Sequence, residues 1–513
     1  MARPSLPHLP ELGQLAELPQ RLGRRLAEFQ AEHRGQAPAA APGPSAVVVG
    51  GGVAGLVAAR ELALTGHAVT VVEAGVLGGH VGTHEVDALR LDSGAESFAT
   101  RSDAVAKLAG ELGLEVTYPA ATPAWLHAGP GRDVPLPRTG LLGIPADPFE
   151  TEVVAALGEA GAARAAQDLD APVDPALFGE GVTLGALVRS RLGAAALHAL
   201  VTPVVSGVHS ADPDALEADA VAPGLRAALR REGSLCRAAA SLRAAAPAGS
   251  AVAGLVGGMG TLVDALRDDL AARGVRSHEH TRVSALERVE REDGARGWVV
   301  RAAGTAKQGT SFEAWADRLV VATEGPTAVD LLADSVPGLG ELRPAEGAGV
   351  SLVTLVVDLP ELDGAPRGTG ILVAPDAGDV VAKALTHASA KWPLLGKEAG
   401  PGRHVLRLSY GRLTDEAARM ADADDATLVS QGVADAAALL GVDLGEADVL
   451  GADVVRHAGA LPMATPGHRA LLRSVAELVD GTEGLDVVGA WRSGTGLAAV
   501  VGSTRARLGI SAA

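Results

Sequence analysis

The sequence predicts an α/β fold. A nucleotide-binding sheet begins near the N-terminus, is interrupted twice, and is completed by the last thirty residues. Three observations carry this. Residues 45–75, SAVVVGGGVAGLVAARELALTGHAVTVVEAG, read as a strand, a glycine turn, a helix and a second strand ending in an acid. Gly50, Gly52 and Gly55 sit at G-x-G-x-x-G spacing, and Glu73 follows Gly50 by 23 positions. Residues 485–506, LDVVGAWRSGTGLAAVVGSTRA, repeat the strand, glycine turn and helix at the far end of the chain.

The first segment has the form of a Rossmann-like dinucleotide-binding unit. Gly50 permits the tight turn, Gly52 lets the backbone approach a pyrophosphate, and Gly55 lets the helix pack closely. The helix N-terminus, over Gly51, Val53 and Ala54, faces the phosphates. Glu73 stands where such folds grip a ribose hydroxyl, with Ala74 beside it. The distal segment selects the dinucleotide. A return to the cofactor in the last thirty residues is similar to the flavin enzymes of the amine-oxidase and phytoene-desaturase superfamily. Gly489, Trp491, Gly494, Gly496, Leu497 and Ala498 then belong to the flavin end of an FAD site. A second glycine turn, Gly78–Gly79, lines the cofactor path, and Val283 and Ala322 complete it.

The other elements follow in order. A hairpin occupies roughly 82–92. Residues 102–114 and 150–200 are helical by Ala/Leu spacing, and 135–148 form a proline-punctuated loop. Arg- and Ala-rich helices run to about 247. From Ala253 come a glycine turn, an amphipathic helix, a short strand around Val283 and a hairpin. Residues 318–326 are a buried strand ending in a turn. Residues 350–412 alternate like the strands of one antiparallel sheet, a floor for the substrate. A helix-rich stretch, 415–442, precedes the final unit. The expected division is a tail and linker over 1–44 and an FAD-binding domain over 45–97, 254–345 and 450–513. A helical domain covers 98–205. A mixed-sheet substrate domain covers 206–253 and 346–449.

Composition excludes several classes. The chain has 513 residues, enough for two or three domains. A net charge of −18 and 2% aromatic residues argue against nucleic-acid binding. One cysteine, Cys236, excludes an internal disulfide, a cysteine-rich zinc site and an iron–sulfur cluster, and reads as an apolar helix residue. No metal site is expected. His80, His84, His209, His387, His457 and His468 lack metal-ligand spacing and read as packing or hydrogen-bonding residues. No signal peptide and no run of 18 apolar residues occurs, so a cytoplasmic location is expected. In the tail, Leu12, Leu15, Leu18, Leu22, Leu26 and Phe29 fall at helical spacing among Arg21, Arg24 and Arg25. This reads first as a loose or docked tail helix. The alternative is an amphipathic element, 11–33, that touches a membrane or a partner.

A closer resemblance rests on ordered segments. They are GGGVAG with Glu73, DSGAESFATR (92–101), PLPRTGLLGIP (135–145), PVVSGVHSADPDAL (203–216) and GGMGTLVDAL (257–266). KALTHASAKWP (383–393), ALPMATPGH (460–468) and GAWRSGTGLAAVV (489–501) complete the set. The chain resembles the HemY-type protoporphyrinogen/coproporphyrinogen oxidases, most of all the coproporphyrinogen III oxidases of actinobacteria. The resemblance implies noncovalent FAD and oxidation of coproporphyrinogen III to coproporphyrin III in haem biosynthesis. It also implies O2 as acceptor, H2O2 as product and a transient contact with coproporphyrin ferrochelatase. Hydride leaves a methylene bridge and a pyrrole N–H loses its proton. Aromatisation drives the reaction, so no strong base is needed and no catalytic residue is assigned. Four propionates ask for basic partners, and Arg101, Arg138 and Lys383 are the candidates; a solvated surface role stays open for each. The chain departs from the family in three places. Val76 and Leu77 stand where a basic residue precedes the second glycine turn, which leaves the phosphates to backbone amides. His209 replaces an aromatic, and His457 a tryptophan. The rivals are protoporphyrinogen IX oxidation, another oxidase of the superfamily acting on amines or carotenoids, and a flavin-binding scaffold. Only two tyrosines, Tyr118 and Tyr410, argue against an amine-oxidase aromatic cage.

Overall fold

Three valine-rich strands, Ser45–Val49, Ala68–Val72 and Arg318–Val321, form the buried middle of the central sheet. The computed structural model describes residues 43–137, 141–209, 211–244, 251–292, 294–305, 311–411, 420–462 and 464–509. Residues 11–33, expected as a tail helix, and Arg138 lie outside the described residues. Among those described, the central sheet has five parallel strands. Their order is Arg276–His278, Ala68–Val72, Ser45–Val49, Arg318–Val321, Leu485–Val487. The two ends of the chain thus meet in one sheet, as the paired glycine turns require. Helix Val53–Leu64 packs beneath it with Leu56, Val57 and Leu62 fully buried. Ligands gather at the carboxyl ends of such strands.

The predicted elements around this sheet are present. The hairpin pairs Thr83–Val86 with Leu89–Asp92, and its turn residues Asp87 and Ala88 take positive φ. The amphipathic helix is Gly260–Ala272. The strand around Val283 is longer than expected, Thr281–Glu290, and carries an irregularity between Val283 and Ala285.

The floor sheet is larger than the alternation of 350–412 indicates. It runs Val449–Leu461, Ala348–Asp358, Arg403–Tyr410, Ala384–His387, Gly370–Val373, Trp125–His127, Asp133–Pro135. It is also not wholly antiparallel, because Gly370–Val373 pairs parallel with Trp125–His127. The two strands from 125–135 have three residues each, too short to display a period of two.

A helical cluster includes Thr151–Ala166, Leu184–Leu192, Leu225–Glu232 and Leu235–Ala244. Its centre holds a buried ion pair. Asp168 accepts from Arg191 Nε at 2.6 Å, from the Ser234 hydroxyl at 2.6 Å and from the Cys236 N–H at 2.9 Å. Cys236 is fully buried on its helix, and burial pushes its thiol far up. No helix among the described residues is long and apolar enough to cross a membrane.

Candidate active site

A cavity of about 670 Å³ opens at the carboxyl ends of the central strands and extends to the floor sheet. Each end is shaped by local backbone chemistry.

At the first glycine turn, Gly50 has φ +102, and a Cβ there would meet the Ala322 carbonyl carbon at 2.9 Å. A Cβ on Gly55 would fall inside the Gly50 carbonyl oxygen. Gly52 differs from both: a Cβ would find nothing within 4 Å, because it would project into the cavity. Gly52 also caps helix Val53–Leu64 without any side-chain bond, so the helix leaves N–H groups for an outside acceptor. Gly51 ties the two glycine turns together. Its carbonyl accepts the Gly78 N–H at 2.8 Å, and its own N–H donates to Glu73 Oε2 at 2.7 Å. Glu73 Oε1 accepts the Gly75 N–H at 2.7 Å. The Leu77 amide is taken by Glu279 Oε1 at 2.7 Å, so it is not among the amides left for a phosphate.

The cavity is lined by Gly50, Gly52, Val53, Ala54, Glu73 and Ala74 from the first unit, with Gly78 and Gly79 from the second turn. Val283, Ala322, Gly489, Trp491 and Leu497 line it too. Gly51, Gly55, Gly494, Gly496 and Ala498 do not line it; Gly494 takes φ +101 in the turn before the last helix, and Ala498 is buried in the core. Helix Leu497–Leu508 begins at Gly496 without a side-chain cap, a second bare N-terminus at the cavity. Trp491 is buried, and its Nε1 has no hydrogen-bond partner among the described residues.

On the floor, strand alternation sorts Arg403–Tyr410 into two faces. Leu406, Leu408 and Tyr410 are fully buried in the core, whereas Arg407 and Ser409 line the cavity. Lys383, from the basic candidates, also lines it and is buried. Arg101 is exposed in the turn after Phe98–Ala99 and does not line the cavity. Pairing of Phe98–Ala99 with Val252–Leu255 buries Phe98 and carries Arg101 to solvent. Arg407 is the cation that sequence reasoning missed. Its guanidinium donates to the Gly94 carbonyl at 2.7 Å and the Asp92 carbonyl at 3.3 Å, and lies 4.0 Å from Glu96. Glu96 also pairs with Lys391. Burial opposes the charge on Glu96, but Lys391 and Arg407 together hold its carboxyl below the ordinary range. Asp92 accepts the Met259 and Gly260 N–H groups at 3.0 Å each, at the start of helix Gly260–Ala272. Burial still pushes its carboxyl up.

The histidines make the hydrogen bonds expected of them. His84 meets Asp453 at 2.6 Å, and His387 meets His404 at 3.0 Å. His468 bonds the Trp491 carbonyl, and burial lowers its pKa. The His209 side chain lies outside the described residues. His80 and His457 also line the cavity, and His80 was not foreseen there. The one signal for His80 is its position directly after Gly78–Gly79.

Comparison with known proteins places these features. The family described as flavin containing amine oxidoreductase matches residues 53–506. A Mycobacterium leprae protein named coproporphyrinogen III oxidase is 31% identical over 463 residues, covering 88% of this chain and 95% of its own length. A Propionibacterium freudenreichii protein of the same name is 30% identical, covering 83% of this chain and 84% of its own. A solved structure from Exiguobacterium sp. 255-15, provisionally named a protoporphyrinogen oxidase, aligns with TM-score 0.75 at 26% identity. It covers 91% of this chain and 98% of that one. Cyclohexylamine oxidase from Brevibacterium oxydans shares the fold, with TM-score 0.59 at 18% identity over 91% of this chain and 98% of its own. Glycine cradle, closing C-terminal helix and sequence match agree: the chain belongs to the flavin containing amine oxidoreductase family, in the group that holds the actinobacterial proteins named coproporphyrinogen III oxidase.

Proposed function

We propose that the protein oxidises coproporphyrinogen III to coproporphyrin III in haem biosynthesis, using FAD, with O2 as acceptor and H2O2 as product. The observation that carries this is a single cavity joining a dinucleotide cradle to a sheet floor bearing Lys383 and Arg407. The relatives' names give the substrate class.

The residues present fit FAD. Gly52 leaves room for a diphosphate at a bare helix N-terminus, and Glu73 is held at the ribose end. Gly78, Gly79, Val283 and Ala322 wall the dinucleotide. The turn from Gly489 to Ala498 brings the last helix to the flavin end, and the orphaned Trp491 Nε1 offers a donor. Bound there, the flavin supplies hydride acceptance from a methylene bridge. The chain itself binds and orients. Lys383 and Arg407 hold propionates by charge, and the sheet floor sets the macrocycle against the cradle. The expected segments divide the work: 45–97, 254–345 and 450–513 hold FAD, 206–253 and 346–449 hold substrate, and 98–205 cover the site. Strand Val449–Leu461 pairs with Ala348–Asp358 in the floor sheet, and its His457 and Gly459 line the cavity. A cytoplasmic location, peripheral membrane contact through 11–33 and transient contact with a coproporphyrin ferrochelatase complete the reading.

The test is turnover of coproporphyrinogen III and protoporphyrinogen IX under air, followed by porphyrin fluorescence and peroxide. Higher kcat/KM for the four-propionate substrate is expected. Equal or better use of protoporphyrinogen IX would sink the substrate assignment. Release of a cofactor other than FAD on acid precipitation would sink the cofactor assignment.

A further inference from the structure

We propose that His80 and His457 together accept the pyrrole N–H proton released in each two-electron step of the oxidation. The inference rests on the porphyrinogen reading above. His80 stands on the cradle side of the cavity, directly after Gly78–Gly79. His457 stands on the floor strand Val449–Leu461, opposite Val350. The rings meet edge to face, with centroids 5.2 Å apart and planes at 86°. His80 is exposed into the cavity, and His457 is half-buried in its wall.

Each ring is oriented by a backbone carbonyl. His457 Nε2 lies 2.9 Å from the Ser93 carbonyl oxygen, and the His80 ring bonds the Ala458 carbonyl. A carbonyl only accepts, so the contacting ring nitrogen carries the hydrogen. In the neutral ring the other nitrogen then keeps its lone pair. Each ring therefore keeps one basic nitrogen on a residue that lines the cavity, where hydride and proton must separate.

The surroundings of His80 favour its neutral, accepting form. Desolvation by the cavity walls that enclose its ring, then the neighbouring His457, lowers the pKa of His80. The charged groups around the pair are largely committed. Asp92 accepts two backbone N–H groups, Arg407 holds the Asp92 and Gly94 carbonyls, and Glu96 pairs with Lys391. Glu324 lies beside Gly459, and burial, then Glu346, pushes its carboxyl up. Lys383 lines the same cavity. Glu73 already accepts two N–H groups.

The step balances. The bridge carbon gives its C–H electron pair to the flavin as hydride. A pyrrole N–H bond then breaks, its electrons enter the new C=N bond, and its proton forms a bond to an imidazole nitrogen. One hydride and one proton leave the substrate. The imidazolium returns its proton to water before the next step.

The experiment uses the flavin-loaded full chain, as wild type and as the His80→Asn/His457→Asn double variant. Flavin content and coproporphyrin III binding, read by fluorescence, should stay within about threefold of wild type. Anaerobic flavin reduction by coproporphyrinogen III at pH 7 should fall on the order of 100-fold in the double variant. The wild-type rate should rise with pH through one ionisation, and that limb should vanish. Histidine-labelled wild type should show two resonances that shift on adding coproporphyrin III and are missing from the double variant. An unchanged rate and pH profile in the double variant overturns the proposal, as does loss of bound flavin, which would make the pair a cofactor anchor. A wild type that does not oxidise the porphyrinogen defeats the functional reading itself, whatever the labelled histidines do.

Discussion

Glu73 Oε2 accepts the Gly51 N–H at 2.7 Å, which fastens the end of strand Ala68–Val72 to the glycine turn after its neighbour Ser45–Val49. The same carboxylate holds Gly75 through Oε1 at 2.7 Å. One acid therefore sets the spacing of the cradle as well as facing the ribose end of the cavity. Glu73→Ala should lower FAD affinity by about 1.5–3 kcal/mol, the scale of a hydrogen bond to a charged group. That is roughly a 10- to 160-fold rise in Kd. Titration of the apoprotein with FAD checks it, and an unchanged Kd would remove Glu73 from the site.

Gly52 and Gly55 make a paired test of the cradle. A Cβ at 52 meets no atom within 4 Å in the protein, and the backbone there needs no positive φ. Gly52→Val should fold, at a cost of about 1 kcal/mol for the poorer N-cap, yet lose flavin. Gly55→Ala should instead fail to fold, because its Cβ overlaps the Gly50 carbonyl. Circular dichroism and flavin absorbance of both variants distinguish these. Full flavin in Gly52→Val would contradict the placement of the diphosphate.

The Asp168–Arg191 pair should matter for stability alone. Both side chains are buried, and removing the acid leaves a guanidinium without its counter-charge. Asp168→Ala should cost about 3–5 kcal/mol in denaturant unfolding. The folded fraction should keep the wild-type flavin spectrum, since the pair lies in the helical cluster. A loss under about 1 kcal/mol would mean the ion pair is not a structural clip.

Acid sensitivity should trace to His387. Burial, then the adjacent His404, pushes its pKa down to about 4. The folded state therefore binds fewer protons than the unfolded state between about pH 4 and the unperturbed 6.5. Its neutral form contributes fully above 6.5, and the contribution is lost as pH falls towards 4. The drop corresponds to on the order of 3 kcal/mol. His387→Gln should flatten the decline in unfolding free energy between pH 7 and pH 4.5. A variant as acid-sensitive as wild type would assign the decline to other groups.

The sequence alone determined the cradle, because its parts are local. Gly50, Gly52, Gly55 and Glu73 lie within one strand–turn–helix–strand unit, where backbone sterics and short-range hydrogen bonds settle the shape. The paired glycine turns also required both chain ends to enter one sheet. Tertiary structure decided the rest of the site. Asp92 reaches the start of helix Gly260–Ala272 across 167 positions, and His457 reaches Ser93 across 364. Whether Lys383 or Arg101 faces the cavity depends on which strand pairs with which, and short strands such as Trp125–His127 carry no periodic signal of their own. Register and packing against distant elements fix those contacts, and neither is encoded in the residues on either side.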